Sequence, residues 1–212
     1  AFHSGHSSTA ISAATGIATG LRLSGSPGYT VAVVGDGAMT GGLSFEGLNN
    51  AAQAGRLIVV LNDNDISISK NVGSLARYLS AMTSNPLYFK LKDNTRRIVQ
   101  EVPVVGQPVY RMVSAGKRMA KDALTASNLF ESFGFDYYGP IDGHDIKTMT
   151  DVFWRARSLG RPALVHVKTV KGKGVPYAQQ NPSLYHGVSP FDAKTGEIPA
   201  HAPSFCGVFG KK

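Results

Sequence analysis

Two short stretches carry residues suited to chemistry in this 212-residue sequence. In the first, the apolar run Val31–Val34 ends in Gly35-Asp36-Gly37-Ala38-Met39-Thr40-Gly41-Gly42. In the second, the run Leu57–Leu61 ends in Asn62-Asp63-Asn64. Carboxylate and amide oxygens are hard ligands that suit Mg²⁺, and glycine backbone can approach a diphosphate closely because no Cβ intervenes. Asp36 offers the carboxylate and Asn64 a neutral oxygen. A nearby backbone carbonyl can complete the protein's share of an octahedral shell, with diphosphate oxygens and water filling the rest. A dinucleotide fingerprint fails on frame: Gly35-x-Gly37 requires glycine at 40, which is Thr40. A purely structural tight turn is the competing explanation for Gly-Asp-Gly taken alone.

Both stretches must reach one place, which parallel strands joined by helices accomplish. Small apolar residues recur with helical spacing from Ser8 to Leu23, with Ser7 or Ser8 as the expected cap and a turn at Gly25 to Gly28. A strand follows from Tyr29 to Val34. Then come a helix from Leu43 to Ala54, stopped at Gly55, and a strand from Leu57 to Leu61. From Asp65 to Gln107 the pattern weakens, as in a long functional or mobile loop. Helical character returns from Pro108 to Leu124, followed by a short turn at Leu129 to Phe133. Phe135 to Ile141 reads as a strand, Ile146 to Ser158 as a helix opened by Asp142 or His144, and Ala163 to Lys168 as a further strand. The alternation predicts an α/β fold, a mostly parallel sheet with helices on both faces. Ligands then sit outside the carboxyl ends of the strands. Residues 1–174 form the expected domain. Residues 175–212, rich in proline, read as a loop and linker.

Composition narrows the class. Hydrophobic residues make up 42% and charged residues 17%, as in ordinary globular proteins. The single cysteine, Cys206, excludes an internal disulfide and favours a reducing compartment. No stretch of apolar residues is long enough to span a bilayer, and Ala1 to His6 lacks the pattern of a secretory signal. A net charge of +8 suits a basic surface over anionic substrates. The other home for such charge is nucleic acid, but no zinc-finger spacing, RNA-binding aromatic motif or long basic run supports it. The sequence opens without methionine and stops abruptly at Lys212, so a piece of a larger protein is expected.

The motifs resemble those of the 1-deoxy-D-xylulose-5-phosphate synthase family, which is similar to transketolase. Gly5-His6-Ser7-Ser8-Thr9, Gly35 to Gly42 and Ser67-Ile68-Ser69-Lys70-Asn71-Val72-Gly73 carry the resemblance. So do Gly139-Pro140-Ile141-Asp142-Gly143-His144-Asp145 and Lys171-Gly172-Lys173-Gly174. The resemblance runs along nearly the whole chain and implies a thiamine-diphosphate-binding, transketolase-like fold. It implies that Asp36, Asn64 and the carbonyl of Ile66 hold Mg²⁺, that Gly37 and Ala38 meet the diphosphate, and that Asn64 also touches the cofactor. Gly5, His6 and Ser7 would contact the cofactor, and His186 would reach the substrate. The implied reaction condenses pyruvate with glyceraldehyde 3-phosphate and releases CO₂, feeding isoprenoid, thiamine and pyridoxal synthesis. A homodimer is implied, located in bacterial cytoplasm or a plant plastid stroma. An activating glutamate would come from a pyrimidine-binding domain beyond this chain, into which Pro203 to Gly210 would lead.

Each residue also has a plainer explanation. Gly5-His6-Ser7 can be an ordinary helix start, and His186 a surface histidine in a proline-rich tail. Capping and turn formation account for Asp142, Gly143 and His144. Glu46 reads as a helix residue or dimer contact. Lys70, Arg77 and the basic residues as far as Arg97 read as a solvated loop. One position departs from the family pattern: Val175 stands where an aromatic residue is usual, with Tyr177 two residues later. The rival functions are a split transketolase-like subunit and a non-catalytic cofactor-binding module.

Overall fold

The computed structural model describes residues 5–64, 73–84, 129–188, 190–199, 205 and 209–210. Four parallel strands form one sheet in the order β1-β2-β4-β3: β1 is Thr30–Gly35, β2 Leu57–Asp63, β3 Asp136–Asp142 and β4 Ala163–Lys168. The expected α/β architecture is the one observed. Central strands β2 and β4 are buried almost end to end, which is why they read as continuous apolar runs. Edge strand β1 alternates instead, leaving Val31 and Val33 54% and 67% exposed.

Helices pack on both faces. On one, α1 (Ala10–Leu23) and α3 (Gly42–Ala51) enclose Ile11, Leu48 and Ala51 over Val34, Val59 and Leu61. On the other face α6 (Ile146–Leu159) packs its Ala156, Val152 and Phe153 against Val60, Val165 and Val167. Between β1 and α3 lies a single turn, α2 (Asp36–Met39). Two further helices are α4 (Ser74–Ser84) and α5 (Leu129–Ser132), which adds fully buried Phe130 to the first face.

Several boundaries differ from the sequence reading, each for a local reason. Neither Ser7 nor Ser8 caps α1. Thr9 holds that position, its hydroxyl donating back to the His6 carbonyl at 2.9 Å rather than capping the helix, while Ser8 is turned towards α2. Asp145, rather than Asp142 or His144, opens α6, its carboxylate accepting from the Thr148 N–H at 3.1 Å. Asp142 instead accepts from the His144 N–H at 2.8 Å, closing the preceding turn. Within the weakly patterned 65–107 stretch, α4 is an ordered helix, and after Gly174 the chain forms a short one, α7 (Pro176–Gln180). The expected helix from Pro108 to Leu124, along with Lys70 and Cys206, lies outside the described residues.

Backbone contacts divide the chain into two compact units, one ending at Thr169 and the other running on from Val170. Within the second, the rings of Tyr177, Tyr185 and Phe191 meet at centroid distances of 5.3 to 5.9 Å, two pairs edge to face and one tilted, and form a small cluster of their own. Tyr177 also donates its hydroxyl to the Ala193 carbonyl at 2.9 Å, so this tyrosine is committed to packing.

The α1–α3 crossing depends on one glycine. A Cβ on Gly47 would sit 2.9 Å from Ile11 Cγ2 and 3.0 Å from the Ser12 amide nitrogen. Backbone cannot yield there as a flexible side chain would. Gly47→Ala should therefore destabilise the protein by about 1–3 kcal/mol despite its better helix propensity. Urea denaturation of the two proteins measures the difference.

Candidate functional site

The site is assembled by strand register. Gly35 of β1 pairs with Asn62 of β2, and the strands are parallel, so Asp36 and Asn64 leave the sheet from neighbouring carboxyl ends. Asp63 pairs with Lys168 of β4, which in turn pairs with Asp142 of β3. All four strands thus deliver polar residues to one edge. Asp36 is 6% exposed, while Gly37, Ala38 and Asn64 are half-buried. Among the described residues no group of three or more His, Cys, Asp or Glu could hold a metal. Asp36 and Asn64 offer a carboxylate and an amide oxygen at this edge, donor types that suit a hard divalent cation.

Serine hydroxyls fix the α2 turn. Ser8 Oγ and Ser44 Oγ each donate to the Ala38 carbonyl at 2.8 Å, one from the segment before α1 and the other from α3. Ser44 is fully buried and also lies 3.3 Å from the Ser8 carbonyl. Ser8 adopts φ 69°, left-handed backbone that a non-glycine residue rarely occupies. The Gly5–Thr9 and Gly35–Gly42 motifs are thereby joined, although 30 residues separate Ser8 from Ala38. Gly5, His6 and Ser7 are exposed in the turn preceding α1.

Asn62, Asp63 and Asn64 divide in two. Asn62 Oδ1 accepts the Thr169 hydroxyl at 2.7 Å, and the Asp63 carbonyl accepts the Thr169 N–H at 2.9 Å. The buried Asp63 carboxylate meets His166 Nε2 at 2.9 Å and Lys168 Nζ at 3.5 Å. His166, fully buried, touches the Tyr137 hydroxyl through Nδ1 at 2.8 Å. Side chains of the first two residues are thus turned towards β4. Sequence reasoning passed over Tyr137, His166 and Thr169; the available signal was a histidine in the middle of the apolar run Ala163–Lys168.

In the second unit, His186 is exposed and its Nδ1 contacts Lys171 Nζ. A turn nearby is closed by Asp192. Backbone N–H groups of Thr195 and Lys194, 3.0 and 2.7 Å from Oδ1, hold its carboxyl below the ordinary range. Of the other sequence candidates, Glu46, Arg77 and His144 are exposed. Val175 precedes α7 and is 36% exposed. Ile66 lies outside the described residues.

Comparison with known proteins follows the same outline. A family model described as 1-deoxy-D-xylulose-5-phosphate synthase matches residues 1–169. A 1-deoxy-D-xylulose-5-phosphate synthase of Treponema pallidum is 53% identical over 199 residues, covering 93% of this chain and 32% of its own length. The synthase of Desulforudis audaxviator is 49% identical, over 99% of this chain and 33% of its own. That of Carboxydothermus hydrogenoformans is 48% identical, over 100% and 34%. The chain thus spans about a third of the length of the curated relatives it matches. By its motifs, its parallel sheet and these similarities, the chain belongs to the 1-deoxy-D-xylulose-5-phosphate synthase family.

Proposed function

We propose that this chain supplies the Mg²⁺- and diphosphate-binding half of a thiamine-diphosphate site in an enzyme that makes 1-deoxy-D-xylulose 5-phosphate. Pyruvate and glyceraldehyde 3-phosphate are its substrates, and CO₂ is released. The observation that carries this reading is the register Gly35↔Asn62, which delivers Asp36 and Asn64 to one edge from adjacent parallel strands. Family membership narrows the diphosphate to the thiamine cofactor.

Asp36, Asn64 and the Ile66 carbonyl would hold the ion, with Gly37 and Ala38 against the diphosphate. Gly5, His6 and Ser7 stand before α1, a position from which the turn joined to Ala38 by Ser8 can meet the cofactor. When bound, thiamine diphosphate supplies a nucleophilic carbon and the electron sink for decarboxylation. This chain's part is to anchor and orient it. His186, paired with Lys171, offers an imidazole and an ammonium to an anionic substrate; imidazole also moves protons near neutral pH. Activation of the cofactor's aminopyrimidine is assigned to the pyrimidine-binding domain of the same enzyme, and assembly as a homodimer belongs to the same proposal.

Calorimetric titration with thiamine diphosphate, with and without Mg²⁺, tests the anchoring role. The parent should bind in a metal-dependent way. Asp36→Ala should weaken that binding by at least roughly tenfold, the loss of a charged ligand, while the far-ultraviolet spectrum is preserved. Equal metal-dependent binding by both proteins would overturn the site.

His186 should behave differently. In the whole enzyme, His186→Ala should leave metal-dependent cofactor affinity unchanged and lower kcat/KM by roughly a hundredfold. Steady-state kinetics beside the same titration separate the two effects. An unchanged kcat/KM would return His186 to the surface.

A further inference from the structure

We propose that Thr169, His166 and Asp63 are positioning residues, clamping the end of β2 to β4 so that Asn64 leaves the sheet in one orientation. The inference rests on reading Asn64 as a metal ligand. It adds a set of residues that touch neither metal nor cofactor.

Five contacts make the clamp. Thr169 binds Asn62 through its hydroxyl and Asp63 through its N–H, at 2.7 and 2.9 Å. His166 Nε2 and Lys168 Nζ approach the two Asp63 carboxylate oxygens at 2.9 and 3.5 Å. Tyr137 Oη lies 2.8 Å from His166 Nδ1. A carboxylate at Nε2 requires a proton there, so in the neutral ring the tyrosine hydroxyl donates to Nδ1 and fixes the imidazole plane. The chain of groups runs from β3 through β4 to β2, three strands of one sheet.

Its cost argues for a purpose. His166 is 0% exposed and Asp63 2%, on the face of the sheet that holds Leu61 and Leu164, each also 0% exposed. Replacing a buried ionic pair by apolar residues of similar volume is often neutral or stabilising, so we assign this pair's role to the orientation it imposes. The neighbouring backbone is shaped around the histidine. Gly139 has φ 138°, and a Cβ there would stand 2.5 Å from the His166 carbonyl oxygen and 2.8 Å from its Cβ. Only glycine lets β3 approach this closely.

Both side chains immediately before Asn64 are therefore committed to β4. With residues 62 and 63 pinned, rotation of the peptide leading into Asn64 is restricted. The clamp does for this turn what groups behind a metal's ligands do generally: it orients the ligand and leaves coordination to others.

Thr169→Val keeps the shape and removes the hydroxyl, while Thr169→Ser restores it. In the full chain, three measurements apply to each variant: amide hydrogen exchange over residues 62–64, thiamine-diphosphate affinity at saturating Mg²⁺, and the melting temperature. Thr169→Val should exchange faster at Asp63 and Asn64 and bind more weakly by roughly 10–100-fold. Its melting temperature should fall less than that of Gly47→Ala, and Thr169→Ser should recover both exchange and affinity. Unchanged exchange at 62–64 would overturn the clamp whether or not cofactor binds. Faster exchange with unchanged affinity would overturn its positioning role. A parent that binds no cofactor, or an Asp36→Ala that binds as well as the parent, sinks the site reading instead, and exchange still judges the clamp.

Discussion

Four strands running in one direction are the constraint on which this structure depends. Parallel pairing places every carboxyl end on the same edge. The register Gly35↔Asn62 and Asp63↔Lys168 then decides which residues meet there. A slip of one residue between β1 and β2 would exchange inward and outward side chains along the whole strand. It would also carry Asp36 away from Asn64. The buried rows Ala32, Val34 and Val59, Leu61 forbid that slip, so the hydrophobic core and the polar edge are set by the same pairing.

That coupling explains why polar groups at this edge are held so firmly. Ala38 is fixed by two serine hydroxyls from elements far apart in the chain, and the strained Ser8 backbone is maintained by its surroundings. Strain and buried charge both work against stability. They gather here, where the sheet presents its polar residues, and the rest of the sheet is filled with Val, Leu and Ile. Sheet rigidity supplies the reference frame. The serine bonds and the β2–β4 contacts convert that frame into placement of particular oxygens.

Much of this was legible in the sequence, for reasons specific to each element. Strands β2 and β4 read clearly because burial on both faces leaves no polar interruption. The placement of Asp36 and Asn64 at strand ends read clearly because Gly-Asp-Gly and Asn-Asp-Asn each terminate such a run. Helix caps read poorly. Ser8 and Asp142 are good capping types, but each found a different partner: Ser8 the Ala38 carbonyl 30 residues on, Asp142 the N–H of His144. Helix α4 was hidden in a stretch whose wider composition suggested a loop. The contacts of Thr169 and His166 were beyond reach, since their partners lie 107 and 103 residues away and only the sheet order β2-β4 brings them together.

The three residues Asn62, Asp63 and Asn64 show what folding adds to such a motif. As a string, either asparagine could serve as an oxygen ligand, and Asp63 would be the more attractive choice for a cation. The fold gives the first two side chains partners of their own. Asn62 is occupied by the Thr169 hydroxyl, and Asp63 is buried against His166 and Lys168, its charge already answered. An ion competing for Asp63 would have to displace a buried histidine and a lysine. Asn64 stands one residue beyond β2. In the proposed metal site the role of amide ligand falls to Asn64, and β4 bears on that choice without contributing a ligand of its own.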